Sequence, residues 1–492
     1  MRKSKKLLLS KVLFVFLLPI FFVWHGYVQN YPLVPASDAL KLAFEYLVTI
    51  LLVVSLSYFI FKSWQKALVF AFFLMFIQFF FGAVQDLIKN SFADSFMSKY
   101  SFLLPLVFVM SVAAFLFLLN TRRDFNRITK YLSFTLAILI ALDLAALTFK
   151  LIRKRGSNET TGQFIECRDC KKPNIYLVIA DEYAGHQELH DIFSFDNAAF
   201  ENELQKRNFH VVKKPTSNYN YTPYSMASIF DMNYLKGITN KANDIDNRNT
   251  SYKTINKNAL VNFLHSLDYD FINLSLFDFA GKPGLNLDEF YSIREKLISS
   301  QTLTGRIKKD LWYHFVTTFG FRWAQNAWQN KLIGLLRKGY NGTVSAAAEN
   351  FERPRFIYTH FTMPHYPYFF DRNGRRLSFA ESQQGGRKDL YLEYLQYCNQ
   401  QCLALIDSIL KKDKTEPIII LMSDHGFTKY NSTAIDPSYN FDNMINIYFP
   451  DNNYSELPDT ISNVNLFRFI LNKQFNQRLP LLKDSTIFLK EY

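Results

Sequence analysis

The chain has 492 residues, room for roughly two or three domains, and carries a formal net charge of +13. Aromatic residues make up 17% of it, with 50 Phe concentrated in the first third, which excludes an ordinary soluble fold there and points to lipid. No Lys/Arg-rich run with interleaved aromatics forms a nucleic-acid stripe, so the basic excess is assigned to membrane-surface attraction and topology marking, with no nucleic-acid partner.

Leu7–Trp24 is apolar and follows Arg2, Lys3, Lys5 and Lys6. A signal peptide starts the same way, but no small-residue cleavage site follows and more apolar runs do, so a retained helix is expected. Further runs cover Leu40–Phe61, Ala67–Leu87, Phe102–Leu119 and Tyr131–Leu151. Each is near the ~20 residues that span a bilayer, giving about five spans in a transmembrane domain over 1–155. Basic residues at the N-terminus, at Lys62 and Lys66, and at Arg122, Arg123 and Arg127 mark alternate loops as cytoplasmic. An odd number of spans then places the rest of the chain outside the cytoplasm. Lys150, Arg153, Lys154 and Arg155 run against this pattern, but large domains translocate largely regardless of flanking charge. Asp143 lies within the last span, where a charge is expected to pair with a neighbouring helix or to face a lipid-substrate cavity.

Residues 156–172 are polar and form a linker to a soluble domain over 173–492. Cys167-x-x-Cys170 sits in this linker without the strand–helix context of a redox motif, and Cys398 and Cys402 are spaced i, i+4 on an expected helix. Disulfides fit an extracytoplasmic domain, and four free thiols remain the alternative.

Pro173–Tyr183 reads as an apolar, buried strand ending in acids, Asp181 and Glu182. Either acid could simply cap the next helix. Asn197–Arg207 is helical, and Asn208–Val212 starts a short strand. In Ser217–Phe230, Pro223 suits a first helical position and Met226, Ile229 and Phe230 have helical spacing, which makes Thr222 an N-cap. Such a threonine can be only a cap, or its hydroxyl can be a nucleophile beside the positive end of a helix, where an anionic phosphate is favoured. Ala259–Leu267 is a helix and Tyr269–Leu276 a strand. Residues 280–350 hold helical stretches and no readable motif; a substrate-side insertion is expected there.

Phe356–Thr359 is a strand leading into His360-Phe361-Thr362-Met363-Pro364-His365-Tyr366-Pro367-Tyr368, a rigid loop whose histidines can donate to phosphate oxygens or act as general acids. Leu390–Leu410 is a long helix. It returns to Ile418–Met422, an unbroken apolar run suited to a strand buried on both faces. Ser423-Asp424-His425-Gly426 follows, where the strand meets its loop. A carboxylate beside an imidazole there can hold a divalent cation, and Gly426 lets the backbone come close to a ligand. Met444–Phe449 is a strand and Val464–Asn472 a helix.

Four of these motifs, in order, resemble the alkaline phosphatase and sulfatase superfamily, and more closely its membrane-anchored lipoteichoic acid synthases and phosphoethanolamine transferases. The motifs are Asn174–Asp181, Thr222-Pro223-Tyr224-Ser225, His365-Tyr366-Pro367-Tyr368 and Ser423-Asp424-His425-Gly426. The resemblance covers about residues 173–470. It implies an α/β fold: a helical transmembrane bundle followed by an alkaline-phosphatase-like α/β/α sandwich. It also implies one divalent metal (Mn, Mg or Zn) held by Asp181, Thr222, Asp424 and His425, with Glu182 able to replace or supplement Asp181. Thr222 would be the nucleophile, forming a phosphothreonine, and His365 would hold the substrate phosphate or protonate the leaving group. His360, His365 and Ser225 would contact substrate. The implied donor is a phospholipid headgroup of phosphoethanolamine or phosphoglycerol type, the implied acceptor an envelope glycan or lipid, and the implied setting a bacterial inner membrane.

Two departures narrow this. No histidine follows His425, and the stretch Ile461–Asn465 lacks the late histidine of two-metal members, which favours a single metal. Thr222 stands where sulfatases need Cys or Ser for formylglycine, which disfavours sulfate-ester hydrolysis. A phosphodiesterase or sulfatase-like hydrolase, and a degenerate envelope-assembly scaffold, are the alternatives.

Overall fold

The computed structural model describes residues 2–31, 33–92, 95–154, 164–167, 170–285, 294–430 and 435–491. Arg155 and residues 156–163 of the expected linker lie outside the described residues. The chain divides into two units: residues 1–158 with 287–321, and residues 159–286 with 322–492.

Among the described residues, the first unit contains five helices long and apolar enough to cross a membrane. They are α1 (Arg2–Gln29), α2 (Ala36–Phe61), α3 (Trp64–Ser91), α4 (Tyr100–Asn120) and α5 (Asn126–Lys154). Phe14, Phe22, Leu42, Ile50, Phe79 and Leu136 meet in the bundle core. Phe44, Phe59, Phe108, Phe134 and Phe149 lie exposed on the outside of the bundle, the position of lipid-facing side chains. Asp143 on α5 pairs with His25 on α1, Nδ1 to Oδ1 at 3.0 Å, and Gln29 lies 2.8 Å from the other ring nitrogen. Lys150 Nζ donates to the Val28 carbonyl at 2.6 Å in the last turn of α1. One of the four basic residues that ran against the topology pattern thus satisfies a helix C-terminus.

Residues 287–321 differ from the expectation of a single soluble domain from 173 onward. The helix Leu303–Thr317 packs on α3. Arg306 Nη2 reaches Asp86 at 2.5 Å, Thr304 meets Gln78 at 2.5 Å, and Asp310 accepts from the Tyr100 hydroxyl. Ile298 joins the bundle core beside Gly26, where a Cβ would lie 2.8 Å from its Cγ2. A segment read as part of a substrate domain therefore belongs to the membrane unit.

The second unit is built on a six-stranded sheet of order β2-β6-β5-β1-β4-β3. The strands are β1 (Ile175–Ala180), β2 (His210–Val211), β3 (Asp270–Leu274), β4 (Arg355–Phe361), β5 (Ile418–Met422) and β6 (Ile445–Tyr448). β1, β3, β4 and β5 run parallel, and β6 is antiparallel to both β5 and β2. β1, β4 and β5 are buried at every position, which accounts for the nearly continuous apolar sequence of β1 and β5.

Alternate residues of β4 show the two helical layers. Phe356 and Tyr358 pack toward Phe467 and Phe230, on the helices Asn463–Phe475 and Thr222–Asp231. Thr359 and Phe361 face the helix Arg322–Ala348: the Thr359 hydroxyl is 2.6 Å from that of Thr343, and Phe361 lies against Gly339. The unit is an α/β/α sandwich, as expected. β4 is longer than its sequence suggested and includes His360, which is a buried strand residue instead of a loop residue.

Candidate metal centre and nucleophile

Register delivers the site. Ile179 of β1 lies between His360 of β4 and Met422 of β5, so the three strands end together. Asp181 follows β1 directly, and its N–H donates to the Phe361 carbonyl at 3.0 Å. Asp424 and His425 follow β5. The carboxyl edge of a parallel sheet is where such folds place ligands. A ligand atom from each of Asp181, Asp424 and His425 lies within 4.8 Å of the others, and all three residues are buried.

Thr222 completes the group from another element. It is the first residue of the helix Thr222–Asp231, one position inside the expected N-cap, and its side chain caps nothing. Instead its Oγ1 donates to Asp181 Oδ1 at 3.2 Å and sits 3.3 Å from His425 Nε2. Pro223 in the first turn needs no backbone donor, which lets the helix start against the sheet edge.

The charge balance is unfavourable without a cation. Burial, with Asp424 and Glu182 close by, pushes the Asp181 carboxyl well above its ordinary range. Burial pushes Asp424 in the same direction, but His425 and His360 outweigh it and hold Asp424 below. Asp424 Oδ1 accepts the Glu182 N–H at 3.0 Å, while Oδ2 has no hydrogen-bond partner among the described residues. Buried carboxylate oxygens rarely stay bare. Oδ2, 3.3 Å from His425 Nε2, that imidazole and the hard oxygens of Asp181 and Thr222 fit a divalent ion.

His360 stands at the rim of this group. Its Nε2 is 3.8 Å from Asp181 Oδ2 and lacks a hydrogen bond, and its Nδ1 is 2.9 Å from the Tyr358 hydroxyl. Burial pulls its pKa down to about 4, against the opposing pull of the Asp424 carboxylate. His365 is set apart from the metal-ligand atoms and is partly exposed. Its backbone N–H donates to the Asp181 carbonyl at 3.1 Å, its Nδ1 bonds the Tyr366 carbonyl, and its Nε2 is 3.6 Å from Glu182 Oε2.

Glu182 is turned away from the three-residue group. Its Oε1 accepts from the Thr428 N–H at 2.8 Å and from the Thr428 hydroxyl. Its backbone has φ +57°, a strained conformation for a residue with a side chain. Ser225, expected to contact substrate, is buried under the nucleophile and donates to the Asp424 carbonyl at 2.6 Å. Asn463 donates to the same carbonyl at 2.9 Å. Sequence reasoning noted its stretch only for the lack of histidine and missed this role. A Cβ on Gly426 would lie 2.5 Å from the Asp442 and Tyr439 carbonyls, so close approach of backbone requires glycine there.

Cys167 and Cys170 form a disulfide, while Cys398 and Cys402 are free and buried.

No family model matches the sequence, and no curated protein matches it. Solved structures do show similarity. The C-terminal periplasmic domain of EptC from Escherichia coli is 12% identical, over 65% of this chain and 90% of that one, with a TM-score of 0.40. The corresponding domain of the phosphoethanolamine transferase EptC from Campylobacter jejuni is 13% identical, over 66% and 98%, with a TM-score of 0.38. A phosphonate monoester hydrolase from Silicibacter pomeroyi is 12% identical, over 64% and 75%, at 0.40. These likenesses are distant, and the chemistry of this chain rests on its own side chains.

Proposed function

We propose that this chain is a membrane-anchored, metal-dependent transferase. In this reading it moves a phosphoryl-linked headgroup from a phospholipid to an envelope glycan or lipid through phosphothreonine at Thr222. The observation that carries the proposal is the Thr222 hydroxyl, buried and uncapped, 3.2 Å from Asp181 and 3.3 Å from His425. A capping threonine would instead accept from a backbone N–H of its own helix.

Asp181, Thr222, Asp424 and His425 would hold one divalent ion of Mn, Mg or Zn type. Such an ion supplies Lewis-acid polarisation of a phosphoryl oxygen and lowers the pKa of a bound hydroxyl. The protein groups do the rest. Thr222 Oγ1 attacks phosphorus and gives its proton to Asp181 Oδ1, toward which it already points. The bond from phosphorus to the lipid alcohol breaks, and that oxygen takes a proton from His365 Nε2. His365 can carry this proton because its Nδ1–H is committed to the Tyr366 carbonyl and Glu182 faces Nε2. In the second half an acceptor hydroxyl attacks phosphorus and returns a proton to His365, while Thr222 recovers its own from Asp181. His360 lies close enough to contact the phosphate, and Ser225 positions Asp424.

The site would lie outside the cytoplasm by the basic marking of alternate loops, and the Cys167–Cys170 disulfide suits an oxidising compartment. The test is incubation of the full-length protein in detergent with phospholipid labelled in the headgroup. Label on a lipid or glycan acceptor, with transient label on the Thr222 peptide, is expected. Release of free headgroup alone would make the enzyme a hydrolase, and no label on Thr222 in a rapid quench would remove the covalent step.

A further inference from the structure

Behind β4, on the sheet face away from Tyr358 and His360, lies a cavity of about 290 Å³. It is walled by the helices Arg322–Ala348 and Lys388–Lys412 and by the loop after β4. This is near the lower end of the roughly 300–1,000 Å³ of small-molecule sites. Arg337, Tyr340, Asn341, Tyr397 and Gln401 converge on it. Among the described residues, none of these five side chains has a hydrogen bond or ion pair within the protein. No acidic residue lines the cavity, so its only formal charge is the Arg337 guanidinium. Tyr397 stacks on Phe370 with ring centroids 4.7 Å apart, presenting a broad aromatic wall.

We propose that this cavity is a second binding site, one that takes an anionic sugar unit. Aromatic walls accept the C–H faces of a pyranose, amide side chains suit ring hydroxyls, and a free guanidinium suits a phosphate or carboxylate. The Arg337 charge works against a cationic headgroup there. The cavity shares Phe361 and Met363 with the segment that carries His360 on one side and His365 on the other. An occupant therefore rests against the backbone that positions His365. Binding does not depend on turnover and goes beyond the transfer reaction.

The experiment is a titration of the full-length protein in detergent, in native and Thr222→Ala form. Glucose 6-phosphate and glucuronic acid are followed by saturation-transfer NMR and calorimetry, with glucose and inorganic phosphate as controls. Saturable binding of both charged sugars, in competition with each other, is expected in both forms. Arg337→Ala should weaken it at least about tenfold, the scale of one lost charged hydrogen bond. Asn341→Ala should weaken it as well. Both residues are exposed, so neither change threatens folding. Failure of both sugars to bind, indifference to Arg337→Ala, or equal binding of inorganic phosphate would overturn the proposal. Binding retained by the Thr222→Ala form separates this outcome from any failure of the transfer mechanism.

Discussion

Thr222 Oγ1 lies 3.2 Å from Asp181 Oδ1 across 41 residues of sequence, and the contact joins the first turn of a helix to the end of the central strand. If this hydroxyl is the nucleophile, Thr222→Ala should lower turnover by at least about a thousandfold. Metal content and melting temperature should stay near those of the parent, since three further ligands and the helix remain. Thr222→Ser should keep measurable activity. Metal analysis beside a headgroup-release assay checks this, and full activity in the alanine variant would sink the mechanism.

Asp424 Oδ2 is buried without a hydrogen bond, and Asp181 is pushed toward its protonated form. Chelation should abolish activity, and a divalent ion should restore it. Asp424→Asn should weaken metal binding by more than about a hundredfold, because losing an outer-shell partner alone commonly gives 10–100-fold. The same substitution should lower the melting temperature of the metal-free protein, because the fold favours the ionised Asp424 carboxylate that it removes. Elemental analysis and thermal melts with and without chelator measure both effects. Tight stoichiometric metal in Asp424→Asn would contradict the ligand assignment.

The sequence showed the site more clearly than it showed the body around it, and the reasons are physical. Ile418–Met422 reads as a strand because a parallel strand buried on both faces must be apolar throughout. Pro223 marks the helix that starts at Thr222. The end of β4 was misread because Thr359 and His360 are polar, yet each finds a partner inside: Thr343 on one face of the sheet and Tyr358 on the other. Residues 294–321 were unreadable for a related reason. They dock on α3 through Asp86 and Gln78, polar residues set in an apolar run, and no local pattern in either segment announces the other. Asn463 ties the Asp424 carbonyl from a distant helix, a contact that only the fold creates.

Asp442 accepts the Glu188 N–H at 2.6 Å, and burial pushes its carboxyl up to about 6 from 3.8. The native state therefore binds this proton more tightly than the unfolded chain. The stabilisation is complete below pH about 4 and is lost as pH rises through about 6, amounting to up to about 3 kcal/mol. Asp442→Asn keeps an acceptor oxygen but cannot ionise. The difference in melting temperature between parent and variant should grow in the variant's favour from pH 4 to 7. A difference that does not change with pH would show that Asp442 does not titrate in this window.

His365 has its Nδ1 tied to the Tyr366 carbonyl and its Nε2 3.6 Å from Glu182, with part of the ring open to solvent. This geometry suits proton delivery to a departing lipid alcohol. A general acid of this kind commonly contributes about 10²–10⁴-fold. His365→Gln should therefore slow transfer from a phospholipid by that range, because a lipid alcoholate is a poor leaving group without a proton. A nitrophenyl phosphodiester, whose phenolate leaves unaided, should react with the variant at close to the parent rate. Steady-state kinetics on the two donors separate the roles. Equal slowing on both would make His365 a phosphate-binding residue instead of an acid.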